Sequence, residues 1–98
     1  MELLSKYDFE NLRNESEGHV LAELERQINA IKGEICRCND CIVDMAAMAL
    51  NNVRPLYRCS ILGTLYAQEA MNDKVYAENV RDAVWEALIK IKKNPSHE

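Results

Sequence analysis

Three of the four cysteines, Cys36, Cys38 and Cys41, lie within the six-residue segment CRCNDC. Thiolates are good ligands for Zn²⁺ because the soft sulfur donor matches this borderline-soft ion, and a structural zinc site normally has four ligands at tetrahedral angles. The spacing Cys-x-Cys-x-x-Cys supplies three of them. We therefore interpret the segment as a metal-binding knuckle at the start of a helix, where the positive end of the helix dipole also stabilises the Cys41 thiolate.

The spacing does not supply a fourth ligand. Cys59 is the leading candidate, because the chain can return toward the knuckle after the core helix; His19, His97 or a water molecule are the alternatives. Cysteines in a reducing compartment are more typical of metal ligands or reduced thiols than of disulfides. The competing interpretation is therefore that the knuckle consists of reduced thiols, one or two of them packed as small apolar side chains.

The composition is typical of one small, helix-forming domain with an acidic surface. The chain has 98 residues, of which 48% are hydrophobic and 29% charged, with only three glycines and two prolines. A net charge of -4 argues against nucleic acid as the main partner, because phosphate binding requires a basic surface. No apolar run approaches the roughly 18 to 20 residues that span a bilayer, and the acidic start lacks the basic region of a secretory signal. We expect a cytoplasmic protein with no membrane partner.

Four helices are predicted to position the knuckle in an all-α bundle. The first begins at Asn14–Glu17, where Asn followed three residues later by Glu has the pattern of a capping box, and it ends at Gly33. The central core helix runs from Asp40 to Asn51, since its residues are almost all apolar. Pro55 fixes its end, because the residue before a proline is pushed out of the helical region.

Two further helices are predicted in the second half of the chain. Leu56 and Tyr57 continue from the core helix in extended form, and a short helix or helical turn is expected within residues 59–71. Asp73 can cap a long final helix, which stops before Pro95.

The helical domain is predicted to span residues 14–93, between an N-terminal arm at 1–13 and a C-terminal tail at 94–98. Trp85 and Ile89 lie four residues apart and off the main apolar stripe of the last helix, so this helix has a second apolar face. In so small a protein such a face favours an intertwined homodimer, because buried surface per residue is otherwise scarce. The alternative is that the arm covers Trp85 within the same chain.

Two segments carry a resemblance to a known family. The knuckle at 36–41 and the segment AAMALNNVRPLY at 46–57 resemble the bacterial late competence protein ComFB family, whose pattern has an Ala-rich helix, a Leu-Asn pair, a short spacer and then Pro-x-Tyr. Residues 14–24 and 91–95 are also similar to family elements. The resemblance implies a small, helical, dimeric, cytoplasmic protein. Other members lack these cysteines, so it also implies that zinc is an accessory stabiliser, and Cys59 departs from the family pattern.

The resemblance also implies a ligand. Relatives in cyanobacteria look like receptors for cyclic nucleotide second messengers such as cyclic-di-GMP, which suggests a regulatory binding module. A dimer groove with Arg54, Tyr57 and Arg58 would suit such a ligand, because guanidinium groups bind phosphate in a fork and aromatic planes stack on bases. The alternative for the same residues is that the two arginines are solvated turn residues and that Tyr57 belongs to the core.

An enzyme is the less favoured class of function. The chain has only two histidines, and no phosphate loop, nucleophile elbow or paired-carboxylate motif is present. Cys-rich ligation is also more typical of structural than of catalytic zinc. Two other non-enzymatic hypotheses stay open: a competence-linked scaffold that binds another protein through its N-terminal arm, and a thiol-based redox sensor.

Overall fold

The computed structural model describes residues 1–95, which form five α-helices and one very small sheet. The helices are α1 (Glu2–Lys6), α2 (Ser16–Ala30), α3 (Asn39–Leu50), α4 (Ile61–Glu69) and α5 (Lys74–Lys93), with a 3-10 turn at Ala70–Asn72. Two short strands, β1 (Arg13–Asn14) and β2 (Tyr57–Arg58), pair antiparallel. The predicted all-α fold is confirmed, and its four predicted helices correspond to α2, α3, α4 and α5. Within residues 1–95 no helix combines the length and apolarity needed to cross a membrane.

Helices α2, α3 and α5 pack against one another and enclose a single core. The largest fully buried side chains are Tyr76, Met45, Leu88 and Val20, so all three helices contribute to it. Helix α3 is largely apolar and also buries Cys41 completely. The position of α3 therefore decides where the chain on either side of it emerges.

The first helix begins close to the predicted position, but its local interactions differ from a capping box. The Asn14 Oδ1 atom accepts hydrogen bonds from the backbone N–H groups of Ser16 at 3.1 Å and Leu56 at 2.8 Å, so it ties the start of α2 to a distant segment. Helix α2 ends at Ala30, before the predicted stop at Gly33, because the backbone is already extended at Ile31 (φ -74, ψ 134).

The strand pair was not predicted from the sequence. Arg13 lies opposite Arg58 and Asn14 opposite Tyr57, and the Glu15 N–H donates to the carbonyl of Leu56 at 2.8 Å. A two-residue strand has no periodicity that a sequence pattern can reveal. The pairing joins the residues before α2 to the residues after α3, and so closes the fold around the core.

Helix α4 packs loosely on the domain. Only Ala67 is buried, whereas Ile61, Leu62 and Leu65 are exposed. A Cβ atom at Gly63 would lie 2.8 Å from the Cβ of Arg58, so the absence of a side chain allows α4 to approach β2. The outer side of α4 is therefore an apolar surface that residues 1–95 do not cover.

The N-terminal arm and the outer side of α5 are also exposed. Helix α1 has no buried residue, and six large apolar side chains of the arm are exposed: Met1, Leu3, Leu4, Tyr7, Phe9 and Leu12. On α5, Trp85 is 50% exposed, whereas Ile89 is partly buried against the core of its own chain. The second apolar face predicted for the last helix is therefore smaller than expected.

Candidate functional site

The three cysteines of the knuckle come together at the start of α3. The Sγ atoms of Cys36, Cys38 and Cys41 all lie within 4.8 Å of one another. Cys41 is buried and the other two are partly exposed, so the cluster connects the core with the surface. None of the three forms a disulfide. We call this group the thiol cluster, and its geometry can hold a metal ion.

Cys38 is the N-cap of α3. Its backbone is extended (φ -71, ψ 161), and its Sγ accepts a hydrogen bond from the N–H of Cys41 at 3.4 Å. Its carbonyl accepts from the N–H of Ile42 at 3.1 Å, which begins the helical hydrogen-bond series. The prediction that the knuckle starts the core helix is confirmed, and α3 begins one residue before the predicted Asp40. The positive end of the helix dipole favours thiolates at this position.

The thiol cluster fits the requirements of zinc. A Zn–S bond of about 2.3 Å at tetrahedral angles places two sulfur atoms about 3.8 Å apart, so these thiols need to close by at most about 1 Å. The predicted fourth ligand, Cys59, is exposed and lies outside the cluster, next to the Ser60 cap of α4. Of the alternatives, His19 is hydrogen-bonded to Tyr76, and His97 lies outside the described residues. The fourth ligand therefore stays a prediction.

Two cationic side chains lie beside the thiol cluster. Arg37 and Lys92 line a groove of about 550 Å³ together with Cys36, Gly33 and one acid, Glu34. A Cβ atom at Gly33 would lie 3.1 Å from the Lys92 Nζ, so this lysine reaches across the loop before α3. Three thiolates around a divalent ion carry a net charge of about -1, which nearby cations offset. The charge around the cluster is thus suited to the metal-bound form.

A second set of polar side chains lies where α3 ends and the chain passes the starts of α2 and α5. The Ser16 Oγ donates to the carbonyl of Arg54, in the exit segment (residues 51–56), at 2.7 Å and lies 3.0 Å from the Tyr76 hydroxyl. The His19 Nδ1 lies 2.8 Å from the same hydroxyl. Because Ser16 gives its proton to the carbonyl, it accepts from Tyr76, which in turn accepts from the His19 Nδ1–H. We refer to the following residues as the polar network: Asn14, Ser16, His19, Arg54, Tyr76 and Asn79.

Two asparagines hold the exit segment through its backbone. The Asn79 Oδ1 accepts from the N–H of Arg54 at 3.1 Å, while its Nδ2 donates to the carbonyl of Asn52 at 2.8 Å. Asn14 accepts from the N–H of Leu56 on the other side. These bonds satisfy backbone groups of the exit segment, which lies beyond the last residue of α3. The exit segment is therefore fixed by side chains from both flanking helical regions.

Tyr76 is the most deeply placed member of the polar network, with only 2% of its surface exposed. Burial raises the pKa of Tyr76, while the hydrogen bond with Ser16 and the charge of Arg54 act in the opposite direction. The Arg54 guanidinium lies over the Tyr76 ring, 5.1 Å from its centre. The phenol is thus neutral at neutral pH and keeps the proton that it donates to Ser16.

The structure brings together two of the three predicted ligand residues. Arg54 and Tyr57 line a groove of about 460 Å³ with Tyr66 of α4, which we call the α4 groove. Tyr57 is 66% exposed, so the alternative that placed it in the core is wrong. Arg58 does not line this groove, because its Nε forms an ion pair with Glu15.

Sequence reasoning missed most of the polar network. Ser16 and Asn79 were not identified because a short polar side chain near a helix start is usually a surface cap. Tyr76 had a usable signal, since it lies four residues before Val80 and so continues the buried stripe of α5. A tyrosine on a buried stripe requires a hydrogen-bond partner for its hydroxyl, which points to polar residues packed against it.

Comparisons with known proteins agree with this fold. A family model described as "Late competence development protein ComFB" matches residues 13–95. The solved structure of the late competence protein ComFB from Bacillus subtilis is similar, with a TM-score of 0.69 and 25% sequence identity. That match covers 87% of this chain and 94% of the other. No curated protein sequence matches the chain significantly.

Proposed function

The chain belongs to the late competence development protein ComFB family, and on this premise we propose that it is a regulatory binding module, without catalytic activity, for a cyclic dinucleotide such as cyclic-di-GMP. The observation that carries the proposal is the α4 groove, where Arg54 meets the exposed rings of Tyr57 and Tyr66. A guanidinium group binds phosphate through two parallel hydrogen bonds. Aromatic rings stack on the flat face of a base, which leaves the edge of the base free for other contacts.

Acidic residues set the limits of this groove. Glu69 and Asp73 also line it, and a free carboxylate repels a phosphate. Asp73 is already occupied, because its Oδ1 accepts from the N–H of Val75 at 2.9 Å and caps α5. Glu69 is exposed and is therefore the residue that opposes the ligand most directly.

The α4 groove is connected to the core through Arg54. Its side chain is exposed in the groove, while its backbone is bonded to Ser16 and Asn79. A ligand that fixes the Arg54 side chain therefore acts on a segment that joins α2, α3 and α5. Binding in the groove would stabilise the whole domain, which is a suitable readout for a regulatory module.

The polar network supports binding rather than catalysis. His19, the one histidine within residues 1–95, donates to a neutral phenol and so is not held as a base. Ser16 has no exposed surface and gives its proton to a backbone carbonyl. A nucleophile needs access to substrate and a base that takes its proton, and Ser16 has neither.

We propose zinc as the ion of the thiol cluster, in a structural role, in the reducing cytoplasm where thiolates persist. Elemental analysis of the purified protein should find one zinc per chain. Thiols of the cluster should resist alkylation until a chelator is added, which separates a zinc site from a thiol redox sensor. Purified protein without metal, or with cluster thiols alkylated at neutral pH before chelation, would contradict the proposal.

Cys59→Ser tests the fourth ligand: a variant that keeps its zinc has water or another group there.

We place the homodimer interface on the outer side of α4. Ile61 is 84% exposed and Leu62 61% exposed, and an apolar surface of this kind on a short helix is typical of a protein contact. Leu62→Asp should give a monomer by sedimentation, whereas Leu21→Asp, at an exposed leucine of α2, should not change the mass. If both variants had the mass of the wild-type dimer, the interface would not lie on the outer side of α4.

The N-terminal arm favours a second candidate function, a competence-linked scaffold. Its exposed apolar side chains, such as Leu4 at 64% and Tyr7 at 62%, are suited to bind another protein. Deleting residues 1–11 keeps β1 and should abolish capture of a partner while the dimer stays intact. Unchanged capture would exclude the arm.

The proposed ligand is tested by thermal unfolding of the metal-loaded protein with and without saturating cyclic-di-GMP. We expect the ligand to raise Tm in the wild type and to have no effect in Arg54→Gln or Tyr57→Ala. Tyr7→Ala is the matched control, because Tyr7 is exposed to nearly the same degree as Tyr57 but lies in the arm. Glu69→Gln should increase the shift. No shift in the wild type, or a shift that survives Tyr57→Ala, would contradict the proposed site.

A further inference from the structure

A separate groove of about 510 Å³ lies between the second half of α2 and the middle of α5. Its volume is within the range of small-molecule sites, about 300 to 1,000 Å³. It shares no lining residue with the α4 groove or with the groove beside the thiol cluster. We call it the α2–α5 groove.

Positive charge dominates the lining of this groove although the chain is acidic overall. Arg26, Lys32 and Arg81 line it, against one acid, Asp82. Arg26 is paired with Glu23 at 2.6 Å, and Arg81 lies 3.8 Å from Asp82, which is too long for a strong hydrogen bond. Within residues 1–95 Lys32 has no carboxylate within 4.0 Å. The charge of Arg81 also helps to lower the pKa of Glu23, but neither Arg81 nor Lys32 is held in a close ion pair, so both can bind an anion.

Trp85 gives the groove an aromatic wall. It is the only tryptophan of the chain, and half of its surface is exposed. Its predicted neighbour Ile89 packs partly against the core, and the surface that it shares with Trp85 is otherwise lined by Glu86, Lys90 and Lys93, so the apolar face around Trp85 is small. A half-exposed indole beside cations is suited to stack on a flat ring.

Gln27 adds a polar atom without a partner. The residue is 7% exposed and lines the groove. Its Nε2 donates to Glu23 at 2.6 Å and to the carbonyl of Arg81 at 3.0 Å, which fixes the amide orientation. Its Oε1 is then buried with no hydrogen-bond partner among the described residues. Such an atom is unfavourable in a core and is more often found where a ligand or water completes the bonding.

We propose that the α2–α5 groove binds a small molecule that joins a flat aromatic ring to an anionic group. The ring stacks on Trp85 and the anion is held by Arg81 and Lys32, while the unpartnered Oε1 of Gln27 accepts from an amino group on the ring. The negative charge of Asp82 sets a lower affinity than the cations alone would give. This site is independent of the proposed cyclic dinucleotide site.

Trp85 fluorescence tests the proposal directly, since the sole indole lines the site. The probe is AMP, with adenosine as the ring alone and inorganic phosphate as the charge alone, titrated into the metal-loaded full chain. N-acetyltryptophanamide gives the correction for collisional quenching. We expect saturable quenching by AMP, and apparent affinities at least roughly tenfold weaker for adenosine and for phosphate.

Three variants locate the effect. Arg81→Gln should weaken AMP binding roughly tenfold and keep the backbone carbonyl that Gln27 uses, whereas Asp82→Asn should tighten it several-fold. Arg54→Gln, in the α4 groove, should leave AMP quenching unchanged even where it abolishes the cyclic-di-GMP shift. Quenching that does not saturate, or that is equal in Arg81→Gln, would overturn the proposal. So would a Trp85→Ala variant that turns a dimer into a monomer, because a second copy would then cover the groove.

Discussion

The two ends of α3 are held by different chemistry. At its start, three sulfur atoms within 4.8 Å surround the first turn, and one of them is the helix cap. At its end, the polar network binds the exit segment through hydrogen bonds to Ser16, Asn79 and Asn14. The polar end is complete within residues 14–79, whereas the sulfur end, if it holds the zinc ion proposed above, reaches its full strength only when that ion is bound. The polar end is therefore held at all times, and the sulfur end depends on the metal ion.

The largest expected effect is at the sulfur end. Cys38→Ser removes one ligand of the proposed zinc site but keeps a hydroxyl that can cap α3, so its main effect is the loss of metal binding. In small zinc domains, zinc binding contributes about 10 kcal/mol or more to the free energy of folding. We expect the free energy of unfolding of the metal-loaded protein to fall by at least about 2 kcal/mol in urea. A chelator should destabilise the wild type and have little further effect on the variant. If a chelator destabilised both proteins equally, Cys38 would not be a ligand of a stabilising metal ion.

The polar end should respond less strongly and independently of metal. Ser16→Ala leaves the Arg54 carbonyl without its side-chain donor and the Tyr76 hydroxyl without its acceptor, which costs about 1 to 3 kcal/mol at a buried site. The loss should be the same with and without a chelator. Ser5→Ala is the matched control, since Ser5 is exposed in α1, and it should change stability by less than about 0.5 kcal/mol. A loss that depends on the chelator would show that the two ends are coupled.

The two ends should also fail at opposite extremes of pH. The folded pKa of Tyr76 is raised above the ordinary value of about 10, so the unfolded chain loses this proton first. The contribution of Tyr76 is therefore full below about pH 10 and falls as the pH rises above it. Metal binding by thiolates weakens instead as the pH falls. We expect the free energy of unfolding, measured in urea as a function of pH, to lose part of its decrease at alkaline pH in Tyr76→Phe. A chelator should instead remove part of its decrease at acid pH.

The smallest expected effect lies away from both ends. The hydrogen bond from Arg26 lowers the pKa of Glu23, so this pair stabilises the folded chain above the ordinary glutamate pKa of 4.5 and loses that effect as the pH falls. The Arg26 side chain is 61% exposed and that of Glu23 15% exposed, so salt partly screens the pair. Glu23→Gln should therefore change unfolding only slightly, and less at high salt. If Glu23→Gln lowered the free energy of unfolding as much as Ser16→Ala, the surface of α2 would matter as much to stability as the two ends of α3.

Much of the fold followed from local sequence signals. The apolar run of α3, the Asp73 cap of α5 and Pro55 after the core helix each act within a few residues, so their patterns predicted the elements correctly. The strand pair did not follow, because it joins residues 13–14 to 57–58 and depends on tertiary packing. Helix boundaries shifted by a few residues for the same reason, as with Ile31.

The two ends of α3 also differ in how far the sequence predicted them. The thiol cluster was predictable because its members are neighbours in sequence and their chemistry is specific to metals. The polar network was not, because Ser16 and Tyr76 are distant in sequence and each has a common structural role on its own. The ion pair of Arg58 with Glu15 likewise depends on the strand pairing that the sequence did not reveal.

Hydrogen exchange of the metal-loaded protein, measured by mass spectrometry before and after chelation, tests the central claim most directly. If the two ends are held independently, removing the ion should speed exchange of amides 39–44 at the start of α3. Exchange of the exit segment and of the first turn of α2 should not change. Equal acceleration at both ends, or none at the start of α3, would contradict the account.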